Sequence, residues 1–273
     1  MRWHSTDDVH EFLARAGDFL RSRPVPHTMT LTVVEKARVH GAPGTVFGWL
    51  ETGGEVHAVL HRRSTRRLNL SRVSADQAGA LADHLGDQAL AGVTADRDTA
   101  LAFAEAWKRR TGAEFTHGLW VRLHRLGTLT PPRPAPEGRA RVAGDGDLEH
   151  VIRWCREFMA DVDEPPFDSW AETRYAEKRY TFWENDTPVA MAGWTPVIGG
   201  MVRVDPVYTP ARFRGRGYAA AVTAEVSRAA LAAGADEVVL FTDPHNRTSN
   251  ALYHRLGYVP VIDFAGYDFA PAR

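Results

Sequence analysis

The chain has 273 residues, of which 44% are hydrophobic and 25% charged, which excludes a disordered, collagen-like or fibrous protein and predicts a substantial core. With 33 Lys and Arg against 34 Asp and Glu the net charge is −1, so no global field draws the molecule to nucleic acid or an anionic membrane, and any anion site must be local. The single cysteine, Cys155, excludes an intramolecular disulfide and zinc-ribbon or Cys-x-x-Cys redox chemistry. No run approaches the roughly 18 apolar residues of a membrane span, and no apolar leader follows Met1, so a cytoplasmic protein without membrane contact is expected.

In chain order, Asp7 or Asp8 is placed to cap a helix through about Leu20, with Val9, Phe12, Leu13, Ala16, Phe19 and Leu20 at helical spacing. Strands are predicted over 29–37, 46–51 and 56–61, and the cluster Arg62-Arg63-Ser64-Thr65-Arg66-Arg67 reads as a solvated loop because it lacks interleaved aromatics. Ser74 opens a helix with Ala78, Leu81, Ala82 and Leu85 on one face. A short strand at 91–93, a helix over 98–110 stopping near Gly112, and a strand over 114–123 follow. Residues 128–138, rich in Pro and Gly, read as a semi-rigid linker.

Beyond the linker come a strand at 139–143, helices over 147–159 and 168–178, and strands at 180–184, 189–195 and 201–208. A helix over 216–233, a strand at 237–242, a helix over 248–256 and strands at 258–262 and 264–269 complete the chain. The second half repeats the element order of the first, predicting two α/β domains, 1–127 and 139–273, each a mixed sheet flanked by helices. Cys155 falls on an apolar helical position and is expected in the core. The twelve histidines show no metal-ligand spacing, so no metal site is expected.

The informative segment is Val204-Asp205-Pro206-Val207-Tyr208-Thr209-Pro210-Ala211-Arg212-Phe213-Arg214-Gly215-Arg216-Gly217-Tyr218-Ala219. Gly215 and Gly217 let backbone N–H groups approach a ligand, and the helix that follows directs unpaired N–H groups and its positive end to the same place. Arg212, Arg214 and Arg216 add charge suited to a pyrophosphate. A Walker loop is absent, and the dinucleotide-binding Gly-x-Gly-x-x-Gly fails at Ala220.

The run Arg212-x-x-Gly215-x-Gly217-Tyr218-Ala219 resembles the acetyl-CoA-binding motif of the GNAT superfamily of N-acetyltransferases. About thirty residues on, Asn246-Arg247-Thr248-Ser249-Asn250-Ala251-Leu252-Tyr253, with Gly257-Tyr258 behind it, resembles the family's second cofactor segment. The resemblance covers roughly 139–273 and implies tandem GNAT-like domains with a mixed sheet whose two central strands part to admit CoA. It also implies that Val207, Tyr208 and Thr209 offer backbone groups to the pantetheine arm, as a strand partner would. Arg212, Arg214, Gly215, Arg216, Gly217, Tyr218 and Ala219 would then hold the pyrophosphate, and Asn246, Ser249, Asn250 and Thr242 would approach the arm and thioester. The first half, which reads Leu68-Asn69-Leu70-Ser71-Arg72-Val73-Ser74 at the matching place, resembles a degenerate copy without the cofactor loop.

Amide formation needs a deprotonated amine, a polarised thioester carbonyl and an acid for the leaving thiolate. Tyr253, four residues after Ser249 and three after Asn250, shares their helix face and is the candidate acid. Asp205 is the candidate base, with Glu164 and Glu184 as alternatives, and Trp170, Trp183 and Trp194 flank the acceptor side. The expected reaction is direct acetyl transfer to a primary amine of a small metabolite by a monomer or homodimer. Protein N-termini, lysines and aminoglycosides are rival acceptors. A non-catalytic acyl-CoA-binding sensor is the alternative from another class, and an RNA-binding arginine loop is a third reading that the neutral charge disfavours.

Overall fold

A computed structural model describes residues 1–63, 66–86 and 88–270. It divides into two compact units, Met1–Leu123 with Ile262–Arg273, and His124–Val261. In chain order the elements up to the linker are β1 (Arg2–Thr6), α1 (Val9–Ser22), α2 (Thr28–His40), β2 (Thr45–Thr52), β3 (Glu55–Arg63), β4 (Leu68–Leu70), α3 (Ala75–Leu85), β5 (Gly92–Asp96), α4 (Arg97–Thr111) and β6 (Phe115–Leu126). After it come β7 (Arg139–Val142), α5 (Leu148–Asp161), β8 (Arg179–Asn185), β9 (Thr187–Trp194), β10 (Met201–Tyr208), α6 (Tyr218–Ala232), β11 (Glu237–Thr242), α7 (Arg247–Arg255) and β12 (Tyr258–Phe269). The two halves share their element order apart from α2, which has no counterpart in the second, and no described helix is long and apolar enough to cross a membrane.

In the first unit the strand order is β1-β2-β3-β4-β5-β12-β6. β2 and β3 form a hairpin through Gly53 and Gly54, both at positive φ. β5 pairs antiparallel with the end of β12, from Phe264↔Asp96 to Asp268↔Gly92. Leu68, Leu81, Val93, Phe103 and Trp107 fill its core. The start of α1 is as read: Asp8 accepts a hydrogen bond from the His10 N–H at 2.7 Å. α3 begins on a capping box in which Ser74 Oγ accepts from Gln77 N–H and Gln77 Oε1 accepts from Ser74 N–H at 2.8 Å.

Three expectations are corrected. Residues 29–37 form α2, not a strand: their β-branched composition favours extended backbone, but Thr28, Leu31, Val34 and Ala37 bury one helical face. Residues 168–178 hold only a 3-10 turn at Trp170–Glu172. Ser169 supplies no cap there, and Arg174 and Lys178 are committed to tertiary carboxylates. Strands 258–262 and 264–269 are one strand, β12, because Asp263 is matched by a bidentate pair with Arg122 at 2.6 and 2.8 Å. In the basic cluster, Ser64 and Thr65 lie outside the described residues. Its arginines are not simply solvated: Arg63 donates to Thr45 Oγ1 at 2.8 Å and Arg67 clasps Asp268 with two bonds of 2.7 Å.

In the second unit the strand order is β6-β11-β10-β9-β8-β7. One face packs on α6, where Val202, Val204, Val222, Val226, Leu240 and Tyr258 meet. The other packs on α5 through Trp154, Cys155, Phe182, Met191 and Tyr208. Cys155 is fully buried, its thiol pushed up to about 11 by burial. The linker is tied back through Gly127 N–H to the Gly257 carbonyl at 2.9 Å and Trp183 Nε1–H to the Glu137 carbonyl at 2.9 Å. Because the α3 cap satisfies two backbone donors at once, Ser74→Ala is expected to cost about 1 kcal/mol, read as a lowered urea midpoint with unchanged slope.

Candidate active site

The side chains of β10 change face part-way along the strand, which alternation alone would not do. Val202 and Val204 enter the α6 core, whereas Tyr208 joins the α5 core. Between them the register with β9 shifts from Val204↔Trp194 to Val207↔Ala192, a bulge that takes up one extra residue around Asp205-Pro206 and bends the strand. On its other edge β10 pairs in parallel with β11 at Met201↔Glu237, Val202↔Val238 and Arg203↔Val239. Both strands run on, to Tyr208 and Thr242, so they part as the resemblance implies, and at Val207 and Tyr208, which still pair with β9, the edge facing β11 meets no strand among the described residues.

After Tyr208 the chain turns through Ala211–Phe213 and enters α6 at Gly217. Gly215 and Gly217 have φ of 77° and 83°, a left-handed conformation that a side chain disfavours. No side chain caps α6. Its first bond runs from Ala221 N–H to the Gly217 carbonyl, so the N–H groups of Tyr218, Ala219 and Ala220 have no helical partner. A Cβ on Gly215 would meet nothing within 4 Å, and one on Gly217 would come no closer than 3.8 Å, to Pro136; the turn is open.

Of the three arginines, Arg214 is held by Asp161 and by the Thr209 carbonyl at 2.9 Å. Arg212, lying 4.6 Å from the centre of the Phe213 ring, and Arg216 have no acidic partner among the described residues. The Thr209 hydroxyl is buried and makes no hydrogen bond among the described residues. Unpaired N–H groups at a helix's positive end, two available guanidinium groups and an unspent hydroxyl fit a diphosphate ester. Among the described residues no cluster could hold a metal ion.

Asn246 caps α7 by accepting from Ser249 N–H at 3.0 Å, and Ser249 is half-buried. Asn250 uses both ends of its amide inside the protein. Its Nδ2 donates to the carbonyls of Asp243 and Asn246, each at 2.8 Å, and its Oδ1 accepts from Thr242 Oγ1 at 2.9 Å, with His124 Nε2 at 3.2 Å. Asn250 and Thr242 thus brace the end of β11 against the loop and α7. Tyr253, half-buried, sets its ring edge-on to Tyr258 at 5.9 Å, and its hydroxyl makes no hydrogen bond among the described residues. Burial, then Tyr258 and Asp205, raise its pKa, so it is protonated at neutral pH.

Asp205 lies at the bulge in an ionic cluster. Its Oδ2 accepts from Lys178 and, at 3.1 Å, from Arg174, which also makes two bonds of 2.8 Å to Glu164. Burial alone would raise the Asp205 pKa, but Lys178, Arg174 and Arg203 outweigh it and hold the carboxyl well below its usual range. Burial brings Lys178 down to about 8 against the pull of Asp205. The alternatives are also engaged: Glu164 by Arg174 and Glu184 by Arg141 at 2.7 Å. Trp194 lies under the Arg179 guanidinium at 5.2 Å, Trp170 packs on Phe167, and Trp183 anchors the linker.

Arg174, Lys178 and Arg203 escaped the sequence reading. Lys178 carried a usable signal, being one of three lysines, with Lys36 and Lys108, among 33 basic residues. His124, bonded to Thr242 and Asn250, carried none, because 118 and 126 residues separate it from its partners.

Residues 148–258 match the family model described as the acetyltransferase (GNAT) family. The chain is similar in structure to a tandem GNAT protein from the clavulanic acid biosynthesis pathway, at 14% identity over 100% of this chain and 99% of that one, TM-score 0.59. It is also similar to a GNAT-family acetyltransferase from Colwellia psychrerythraea, at 9% identity over 99% and 100%, TM-score 0.61. A GCN5-related N-acetyltransferase from Kribbella flavida aligns at 20% identity over 79% and 87%, TM-score 0.54. No curated protein matches the chain. Residues 148–258 are therefore an acetyltransferase domain of the GNAT family, within a chain that has the tandem GNAT fold.

Proposed function

We propose that this protein is an acetyl-CoA-dependent N-acetyltransferase that passes the acetyl group directly to a primary amine of a small metabolite. The observation that carries the reading is the open cradle at 209–220, beside two strands that have parted. Gly215, Gly217 and the N–H groups of Tyr218 and Ala219 would hold the pyrophosphate, with Arg212 and Arg216 adding charge and Arg214 fixing the turn. Val207 and Tyr208 offer backbone groups to the pantetheine amides, and Thr209 offers its unspent hydroxyl. Asn246, Asn250 and Thr242 act by bracing the site, and Ser249, whose hydroxyl makes no hydrogen bond among the described residues, is the member of that group free to meet the arm. Bound acetyl-CoA supplies an activated acyl group and a thiolate leaving group.

Tyr253 is the acid in this reading, because its phenol keeps its proton at neutral pH and spends it on no other partner. Asp205, with its pKa held so low, is a weak base on its own. It takes part as the anion of the Lys178–Asp205 pair, in which Lys178, at about 8, is the group able to exchange a proton near neutrality. The same depressed carboxyl ties stability to pH: its contribution is present above the unfolded pKa near 4 and is lost as pH falls toward the folded value.

Thermal unfolding tests the donor site. Acetyl-CoA at a hundred times its dissociation constant is expected to stabilise the parent by about 2.7 kcal/mol, and Gly217→Glu, which strains the turn and repels phosphate, is expected to abolish the shift. If neither protein shifts at millimolar acetyl-CoA, the reading fails; a full shift without CoA release on any amine leaves a binding module instead. Tyr253→Phe is expected to lower kcat by about 10²-fold or more while acetyl-CoA affinity stays within about twofold. Equal loss of both would remove Tyr253 from the chemistry. Asp205→Asn leaves buried cations uncompensated and is expected to cost about 3 kcal/mol at pH 7. That deficit should shrink below pH 4 in a pH series of urea melts, and a constant deficit would show that the carboxylate's charge is not what stabilises the cluster.

A further inference from the structure

Arg203 has no part in the donor cradle and no partner of its own. It sits on β10 two residues before Asp205 and is 9% exposed. Strand alternation puts it with Asp205 on the face opposite Val202 and Val204. Its backbone N–H is satisfied by Thr195 Oγ1 at 3.0 Å, yet its guanidinium makes no hydrogen bond or ion pair among the described residues.

The charges around it are Asp205, Arg174 and Lys178, with Glu164 behind Arg174. Both carboxylates are already engaged, Glu164 by Arg174 and Asp205 by Arg174 and Lys178. Three cations against two anions leave one positive charge uncompensated, and it is the least exposed arginine that lacks a partner. A guanidinium with so little water around it and no anion of its own is costly, and because none of its nitrogens is fully closed off from solvent, an incoming anion can reach it and relieve that cost. Burial also lowers the Arg203 pKa, in keeping with this deficit. The position is apt, because Arg203↔Val239 is the last pair before β10 and β11 part and the bulge at Asp205-Pro206 follows at once, so the guanidinium stands at the start of the opening between the strands.

Building on the acetyl-transfer reading above, we propose that Arg203 binds a carboxylate of the acceptor, which makes the acceptor class an aminocarboxylate. One excess charge matches a monoanion, and the planar fork of arginine matches a carboxylate in two parallel bonds.

The test uses the whole chain with glycine, β-alanine, γ-aminobutyrate and the common amino acids, each beside its methyl ester, and with 2-aminoethyl phosphate. CoA release is measured with the parent, Arg203→Gln and Arg203→Lys, and thermal unfolding with and without acetyl-CoA is run alongside. At least one free acid is expected to exceed its ester by tenfold or more in kcat/KM in the parent, with roughly this much discrimination lost when a buried polar partner is missing. In Arg203→Gln the ratio should fall to about one, mainly through a raised acceptor KM, while the acetyl-CoA-induced shift stays unchanged. Acids and esters used equally, no carboxylate accepted, 2-aminoethyl phosphate preferred over every carboxylate, or a ratio that survives in Arg203→Gln would each overturn the assignment. Should Arg203→Gln fail to fold, Arg203→Lys and the parent's acid-to-ester ratio decide alone. A parent that acetyl-CoA does not stabilise takes down the acetyltransferase reading, whereas normal stabilisation with equal acids and esters takes down only the role of Arg203.

Discussion

Backbone polar groups inside a protein must find partners, and the second unit is organised around a place where two strands withhold theirs. β10 and β11 share three residue pairs and then separate. The separation is built from both sides. On β10 the bulge at Asp205-Pro206 bends the strand, and Pro206 has no N–H to leave stranded. On β11 the amide of Asn250 gathers the Asp243 and Asn246 carbonyls and the Thr242 hydroxyl. The opening is thus held by side-chain hydrogen bonds, and the backbone of Val207 and Tyr208 is left presented to whatever enters.

The two units show how one element order is made open or closed by the residues at a helix start. In the second, α6 begins at a left-handed glycine with no side-chain cap, and its first N–H groups are left pointing outward. In the first, the helix after β4 begins at Ser74, whose hydroxyl and the Gln77 amide satisfy donors that an anion would otherwise meet. A helix N-terminus is a potential anion site wherever its donors are free; a capping box removes that freedom while it stabilises the helix. The difference between a ligand cradle and a plain connection is here a matter of glycine against serine and glutamine.

The ionic cluster at the bulge works by a different physics. Glu164, Arg174, Lys178, Arg203 and Asp205 are drawn from a loop and a strand; Lys178, Arg203 and Asp205 are mostly out of water, while Arg174 and Glu164 keep contact with it. Desolvation penalises each charge there, and mutual attraction compensates it only in part. The consequences are visible in opposite directions: the Asp205 carboxyl is held ionised, and Lys178 is brought to where it exchanges protons near neutrality. Such tuning needs charges fixed by a rigid scaffold, which β10 and the packed Tyr175 and Tyr180 beside it provide.

Much of this was legible in the sequence because it depends on local chemistry. The Gly215 and Gly217 turn, the capped starts of α1 and α3 and the short apolar runs of β2, β3, β9 and β10 are written in neighbouring residues, and so is most of the order of elements that the tandem fold repeats. Tertiary structure alone decided the rest. Packing of one apolar face overrode β propensity and made residues 28–40 helical. Long-range ion pairs turned 168–178 into irregular chain and carried β12 through Asp263. The bracing role of Asn250, the pairing of Lys178 with Asp205 and the unpartnered state of Arg203 depend on residues brought together from distant positions. Coulomb attraction, desolvation and hydrogen-bond geometry act on distance in space, and a one-dimensional sequence does not specify that distance until the chain has folded.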